Sequence, residues 1–95
     1  LVDFNYSCRF GEIDLIVKNK KYICFVEVKM RNENSIASPM EFVDERKQQK
    51  LAASANMYLS THNTKLQPRF DVVEVFCENN KIKSIKHLEN AFQLY

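Results

Sequence analysis

The stretch Gly11–Arg31, GEIDLIVKNKKYICFVEVKMR, decides the fold. From Gly11 to Lys18, Ile13, Leu15 and Val17 alternate with Glu12, Asp14 and Ile16, the period-two pattern of a strand. Lys18-Asn19-Lys20-Lys21 supplies a polar turn, and Asn19 tolerates positive φ. A second strand runs from Tyr22 to about Arg31. It carries Tyr22, Cys24, Val26, Val28 and Met30 on one side and Ile23, Phe25, Glu27, Lys29 and Arg31 on the other. The pair forms a β-hairpin that gathers Glu12, Asp14, Glu27 and Lys29 on one face. An Asn19-Lys20 turn pairs Lys18 with Lys21, which sets Glu12 opposite Glu27 and Asp14 opposite Phe25. A slip by one residue drives carboxylates into the apolar side, whereas a slip by two keeps the same faces.

Working outward, Phe4–Arg9 forms a short first strand before the hairpin. After it, Asn32–Pro39 is a polar loop, and Ser38-Pro39 starts a helical turn holding Met40, Glu41 and Phe42. Asp44 is the N-cap of a helix from about Glu45 to Ser60. Leu51, Ala52, Ala55, Tyr58 and Leu59 make its apolar face, while Arg46, Lys47, Gln48, Gln49 and Lys50 crowd its first turns. Basic residues at a helix N-terminus oppose the macrodipole, so their placement hints at an external anion. Pro68 precedes a strand at Arg69–Cys77, Glu78–Lys81 is a hairpin turn, and Ile82–His87 is a last strand. Leu88–Tyr95 is a tail packed back on the core through Ala91, Phe92 and Leu94. The order β-β-β-α-β-β describes an α/β sandwich, with the helix as crossover between two hairpin-bearing parts of one sheet.

Composition narrows the field. Ninety-five residues, 45% hydrophobic and 27% charged, suit one small globular domain, 1–95. The single glycine, Gly11, excludes phosphate-binding loops that need several glycines for close backbone approach. Any phosphate chemistry must therefore use side chains and metal. The net charge of +2 is too small to name a partner, although charges can still segregate onto different faces. Cys8, Cys24 and Cys77 are odd in number and far apart, which argues against a disulfide framework or zinc site and for a reducing cytoplasm. No long apolar run or signal peptide is present, so no membrane partner is expected.

Like charges across a strand pair repel unless they are exposed, protonated or bridged by a cation. Mg2+ prefers oxygen ligands and keeps several waters, so two carboxylates suffice beside a substrate phosphate. Such an ion makes its water a better nucleophile and neutralises charge building on phosphorus. Lys29 can then orient or deprotonate that water, or stabilise the transition state. A Glu/Asp/Lys face on a hairpin is also commonly a solvated surface with loose ion pairs. Ile16, Ile23 and Phe25 count against that reading, because apolar groups on the same face call for cover. Asp71 reads as a salt bridge at a strand entry, His62 and His87 as surface residues, and Cys24 as a small core residue.

The hairpin resembles the core motif of the PD-(D/E)XK nuclease superfamily. The nearer likeness is to the YraN-type bacterial family, similar to archaeal Holliday junction resolvases. SPMEFVDERKQQKLAASANMYL resembles the family helix, RFDVVEVF the following strand and HLENAF the closing segment. The resemblance implies a restriction-endonuclease-like fold with a central mixed sheet and a crossover helix. The family's N-terminal helix, which often adds an acidic residue, is expected to be missing. It makes Asp14 and Glu27 the metal-binding carboxylates, Lys29 the catalytic lysine and Glu12 an auxiliary acid near the metal. By the same resemblance Lys47 or Gln48 sits near the scissile phosphate. Arg31 is a phosphate contact or a solvated strand end, and Arg46 and Lys50 are a solvated helix face unless, as the resemblance implies, the helix start lies beside the hairpin to hold nucleic acid.

The expected function is a Mg2+- or Mn2+-dependent endonuclease that hydrolyses phosphodiester bonds in DNA rather than RNA, with recombination or repair as its expected setting. Backbone contacts do not read sequence, so structure-selective or non-specific cleavage is favoured. A homodimer would suit a junction resolvase, which cuts two symmetric strands. The alternatives are a non-catalytic nucleic-acid-binding or recombination-accessory module that keeps the fold, and a protein-interaction domain with a vestigial site.

Overall fold

A mixed sheet in the order β1-β2-β3-β4-β5 runs across the protein, with the helix α1 packed on one face. The computed structural model describes residues 2–32 and 44–92. The strands are β1 Asp3–Cys8, β2 Gly11–Lys18, β3 Tyr22–Asn32, β4 Gln67–Glu78 and β5 Lys81–Phe92; α1 spans Glu45–Thr61. β3 and β4 pair in parallel and every other neighbouring pair is antiparallel. A parallel pair needs a crossover, and α1 provides it. The mixed sheet with its crossover helix matches the expected restriction-endonuclease-like architecture. The loop and turn expected over Asn32–Phe42 fall almost wholly outside the described residues. Among those residues, no helix is long and apolar enough to cross a membrane.

Asp44 caps α1 as its side-chain chemistry requires: Oδ1 accepts the Lys47 N–H at 2.8 Å, and its carbonyl accepts the Gln48 N–H at 2.9 Å. The helix buries Leu51, Ser54, Ala55 and Tyr58 against Ile13, Ile16, Ile23, Phe25 and Val72. A line of rings crosses this face from β1 to β5. Tyr6 stands edge-on to Tyr58 at 5.2 Å, Tyr58 to Phe25 at 6.0 Å, Phe25 lies 5.7 Å from Phe70, and Phe70 stacks on Phe92 at 5.0 Å. Each such pair adds roughly 0.5–1.5 kcal/mol beyond its buried area. The helix therefore covers the same sheet face that carries Glu27.

The hairpin register differs from expectation by two residues. Ile16 lies opposite Phe25 and Leu15 opposite Val26, so Glu12 does not face Glu27 and Asp14 does not face Phe25. The turn explains the shift. Asn19 Oδ1 accepts the N–H groups of Lys21 and Tyr22 at 2.8 and 2.7 Å, and the Asn19 N–H donates to the Tyr22 carbonyl. Asn19 thus closes the strands and leaves Lys20-Lys21 as the loop, without needing positive φ. A slip of two preserves the faces.

The simple alternation in β2 also fails locally. Ile13 and Ile16 both have no exposed surface and both join the core, although residues three apart cannot share a face of a regular strand. The irregularity sits at Asp14. Neither Asp14 nor Asn5 pairs where the β1–β2 ladder would join them, and Asn5 has a left-handed φ of 51°.

β5 runs longer than expected, and most of the anticipated tail is strand. Phe92 pairs with Phe70 after a register shift, and Ala91 and Phe92 pack on the core; Leu94 lies outside the described residues. Asp71, on the opposite face from the helix and 1% exposed, organises the shift. It accepts from Arg69 Nε and Nη2 at 2.9 Å each and from the Asn90 N–H at 3.0 Å. Asn90 adopts φ 52° there. His87 Nε2 lies 2.8 Å from Oδ2, and because an ionised carboxylate only accepts, this nitrogen carries the proton. His87 is thus more than a surface residue. At the β4–β5 turn, Asn79 and Asn80 have φ 52° and 64°, the pair of left-handed residues a type I′ hairpin requires.

Burial alone would raise the Asp71 pKa, but the hydrogen bonds from Arg69, Asn90 and His87 and the Arg69 charge hold it below the ordinary 3.8. A lowered folded-state pKa stabilises the fold fully above the unfolded value, and that stabilisation is lost as pH falls through the folded value. Asp71→Asn should therefore cost about 1.5–3 kcal/mol at neutral pH, because Arg69 loses the charge it is paired with and one of its two acceptors. Denaturant titrations at falling pH should show the variant and wild type converging.

Candidate active site

Asp14 on β2 and Glu27 on β3 reach one cleft at the N-terminal end of α1. The cleft holds about 250 Å3 and is lined by Gly11, Glu12, Asp14, Glu27, Lys47, Lys50 and Leu51. Each element contributes for a local reason. Gly11 opens β2 with φ 147°, a backbone state L side chains rarely adopt; a Cβ there would meet Ser54 Oγ at an ordinary 3.6 Å, so conformation rather than space demands glycine. Lys47 and Lys50 are three apart on α1 and share one side of it. Leu51, one residue on, closes the floor by joining the core.

Asp14 is fixed by an interaction the alternating pattern did not suggest. Its Oδ2 accepts the Val28 N–H at 2.8 Å, so a side chain from β2 takes the backbone donor of β3 just where their ladder ends. The β2 irregularity and the carboxylate's position are one event. Glu27 is 8% exposed on the core face, and a charge so placed requires a partner. Lys47 supplies it, with Nζ 2.5 Å from Oε1.

Of the residues expected at the site, Asp14, Glu27, Glu12, Lys47 and Lys50 do line the cleft. Lys29 stands one pleat beyond Glu27, half-buried and in parallel register with Glu74, outside the cleft lining. Arg31, read as a phosphate contact or a solvated strand end, has its Nε 3.7 Å from Glu74 Oε1; both side chains are largely buried. Arg46 is exposed and Gln48 half-buried on α1, and neither lines the cleft. Glu74 was not anticipated. It is 3% exposed on the helix-facing side, beside Lys29, and only the parallel register of β3 and β4 reveals that adjacency.

The donor set suits a hard divalent cation that keeps most of its waters. Two carboxylates from adjacent strands meet that need, and the Lys47 ammonium already stands against Glu27 as a cation would. Among the described residues, no three His, Cys, Asp or Glu side chains converge as a cage, so Glu12 does not complete a triad with Asp14 and Glu27. Elsewhere on this side of the sheet, His62 stacks on Tyr58 with centroids 3.9 Å apart, at the end of α1 away from the cleft.

An α/β domain with paired acidic strands under a basic helix start is the class defined by this geometry. The profile of the uncharacterised protein family UPF0102 matches residues 1–75, and the chain belongs to that family, the YraN family of PD-(D/E)XK-like proteins. A UPF0102 protein of Caldanaerobacter subterraneus subsp. tengcongensis is 42% identical over 97% of this chain and 78% of its own length. One from Clostridium botulinum strain 657 is 42% identical over 99% of this chain and 79% of its own. That of strain Hall is 41% identical with the same coverage.

The Asp14 bond gives a direct structural test. Asp14→Ala strands the Val28 N–H and should remove about 1–3 kcal/mol of its protection in amide exchange. Asp14→Asn keeps an acceptor in place and should leave most of that protection.

Proposed function

We propose that this protein is a metal-dependent nuclease that hydrolyses phosphodiester bonds in DNA, structure-selectively or without sequence preference. The observation that carries the reading is the convergence of Asp14 and Glu27 on a cleft rimmed by Lys47 and Lys50. Asp14 and Glu27 would hold Mg2+ or Mn2+, which would supply an activated water and neutralise charge on the scissile phosphate. Asp14 brings a carboxylate whose position is fixed by Val28, so little reorganisation accompanies binding. Lys29, one pleat beyond Glu27 and outside the cleft lining, would orient or deprotonate the attacking water from the cleft's edge. Lys50 meets the phosphate backbone, and Arg46, exposed nearby on α1, extends that contact. None of these groups forms a base-reading element, which is why shape or no preference is favoured over sequence.

A non-catalytic nucleic-acid-binding module is the second reading, favoured by the Glu27–Lys47 ion pair, which satisfies the buried acid without a metal. Cleavage of branched and single-stranded DNA with Mn2+ separates the two. Wild type should cut, and Lys29→Ala, Asp14→Asn and Glu27→Gln should each lose on the order of 10²–10³ in rate, as when a transition-state donor is removed. Lys50→Ala should weaken DNA binding uniformly across sequences and flatten its salt dependence. Equal rates for wild type and Lys29→Ala would defeat the nuclease reading; salt-sensitive binding without cleavage would establish the second.

A further inference from the structure

The ammonium of Lys47 stands against one oxygen of Glu27, a carboxylate that also lines the cleft with Asp14. Its Nζ is 2.5 Å from Oε1 of a carboxylate that is 9% exposed, while the lysine side chain itself is 50% exposed. The backbone of Lys47 is pinned, because its N–H is the one capped by Asp44. The four-carbon stem is not pinned, and a half-solvated lysine can swing its head without moving the helix. A divalent ion bound to Glu27 sets two like charges a few ångströms apart, and their repulsion drives the mobile ammonium away.

The charges of the cleft sharpen the point. Glu12, Asp14 and Glu27 against Lys47 and Lys50 leave it with one net negative charge, which repels a phosphodiester. A divalent ion reverses that sign, and release of Lys47 from Glu27 frees a second cationic head next to Lys50. Both changes favour phosphate once an ion is bound.

We infer that Lys47 sets the cation affinity of this site and couples it to nucleic acid, acting as the resident counter-ion of Glu27 until a divalent ion displaces it toward the substrate phosphate. The inference rests on the proposed nuclease reading. By linkage, nucleic acid raises the affinity for the ion by the same factor that the ion raises affinity for nucleic acid.

Calorimetric titration of Mn2+ alone into wild type, Lys47→Met, Lys47→Arg and Glu27→Gln tests it, with thermal melting as a second measurement. Lys47→Met keeps the stem and loses the charge. It should bind Mn2+ about tenfold or more tightly than wild type, melt lower without metal because Glu27 has lost its counter-ion, and recover on adding Mn2+. Lys47→Arg should bind Mn2+ like wild type, and Glu27→Gln should not bind it. Equal or weaker Mn2+ binding by Lys47→Met than by wild type would overturn the role of Lys47 while leaving the metal site standing. Absence of Mn2+ binding in both would overturn the metal site and this inference together.

Discussion

A carboxylate on the core face of a sheet cannot stand alone, and Glu27 is such a carboxylate. It continues the row Ile23–Phe25 under α1, where burying an ionised acid is costly unless a cation meets it. The helix start answers that cost. Asp44 sets the first turn, the first turn sets Lys47, and Lys47 reaches Glu27. Three acidic residues on the hairpin and two lysines on the helix thereby enclose one cleft, and the core beside it depends on the same docking of α1.

The two faces of the sheet handle buried acids differently. Asp71 is saturated by fixed donors from Arg69, Asn90 and His87, an arrangement that holds β5 in its shifted register. Such an acid is locked into structure. Glu27 is met by the flexible head of a half-exposed lysine beside open volume. A buried charge whose partner can leave is the better candidate for chemistry. Asp14 stands between these cases, with one oxygen committed to the Val28 N–H and its side chain lining the cleft.

Much of this could be read from residues alone, because alternation and capping are local. Alternation delimits β2 to the residue, and Asp44 marks the start of α1. The faces of β3 placed Glu27 with Ile23 and Phe25. What escaped depends on contacts between distant segments. The register slipped by two because Asn19 bonds the N–H groups of Lys21 and Tyr22, and hydrophobic pattern is blind to a two-residue shift. The face change at Asp14 goes with its own carboxylate accepting the Val28 N–H, fourteen residues away. The reach of β5 to Phe92 follows from Asp71 and from stacking on Phe70. At the site, Asp14, Glu12, Glu27, Lys47 and Lys50 line one cleft, whereas Lys29, Arg46 and Gln48 lie outside its lining. Arg31 proved to be engaged with Glu74, whose nearness only the parallel pairing of β3 and β4 makes visible.

The central claim is that Asp14 and Glu27 form a divalent-cation site. Crystals soaked in Mn2+ and measured at the manganese absorption edge test it most directly. The account predicts an anomalous peak within coordination distance, about 2.0–2.3 Å, of oxygens from both side chains, with the Lys47 head withdrawn from Glu27. No peak between them at saturating Mn2+, with Lys47 still paired to Glu27, would contradict it.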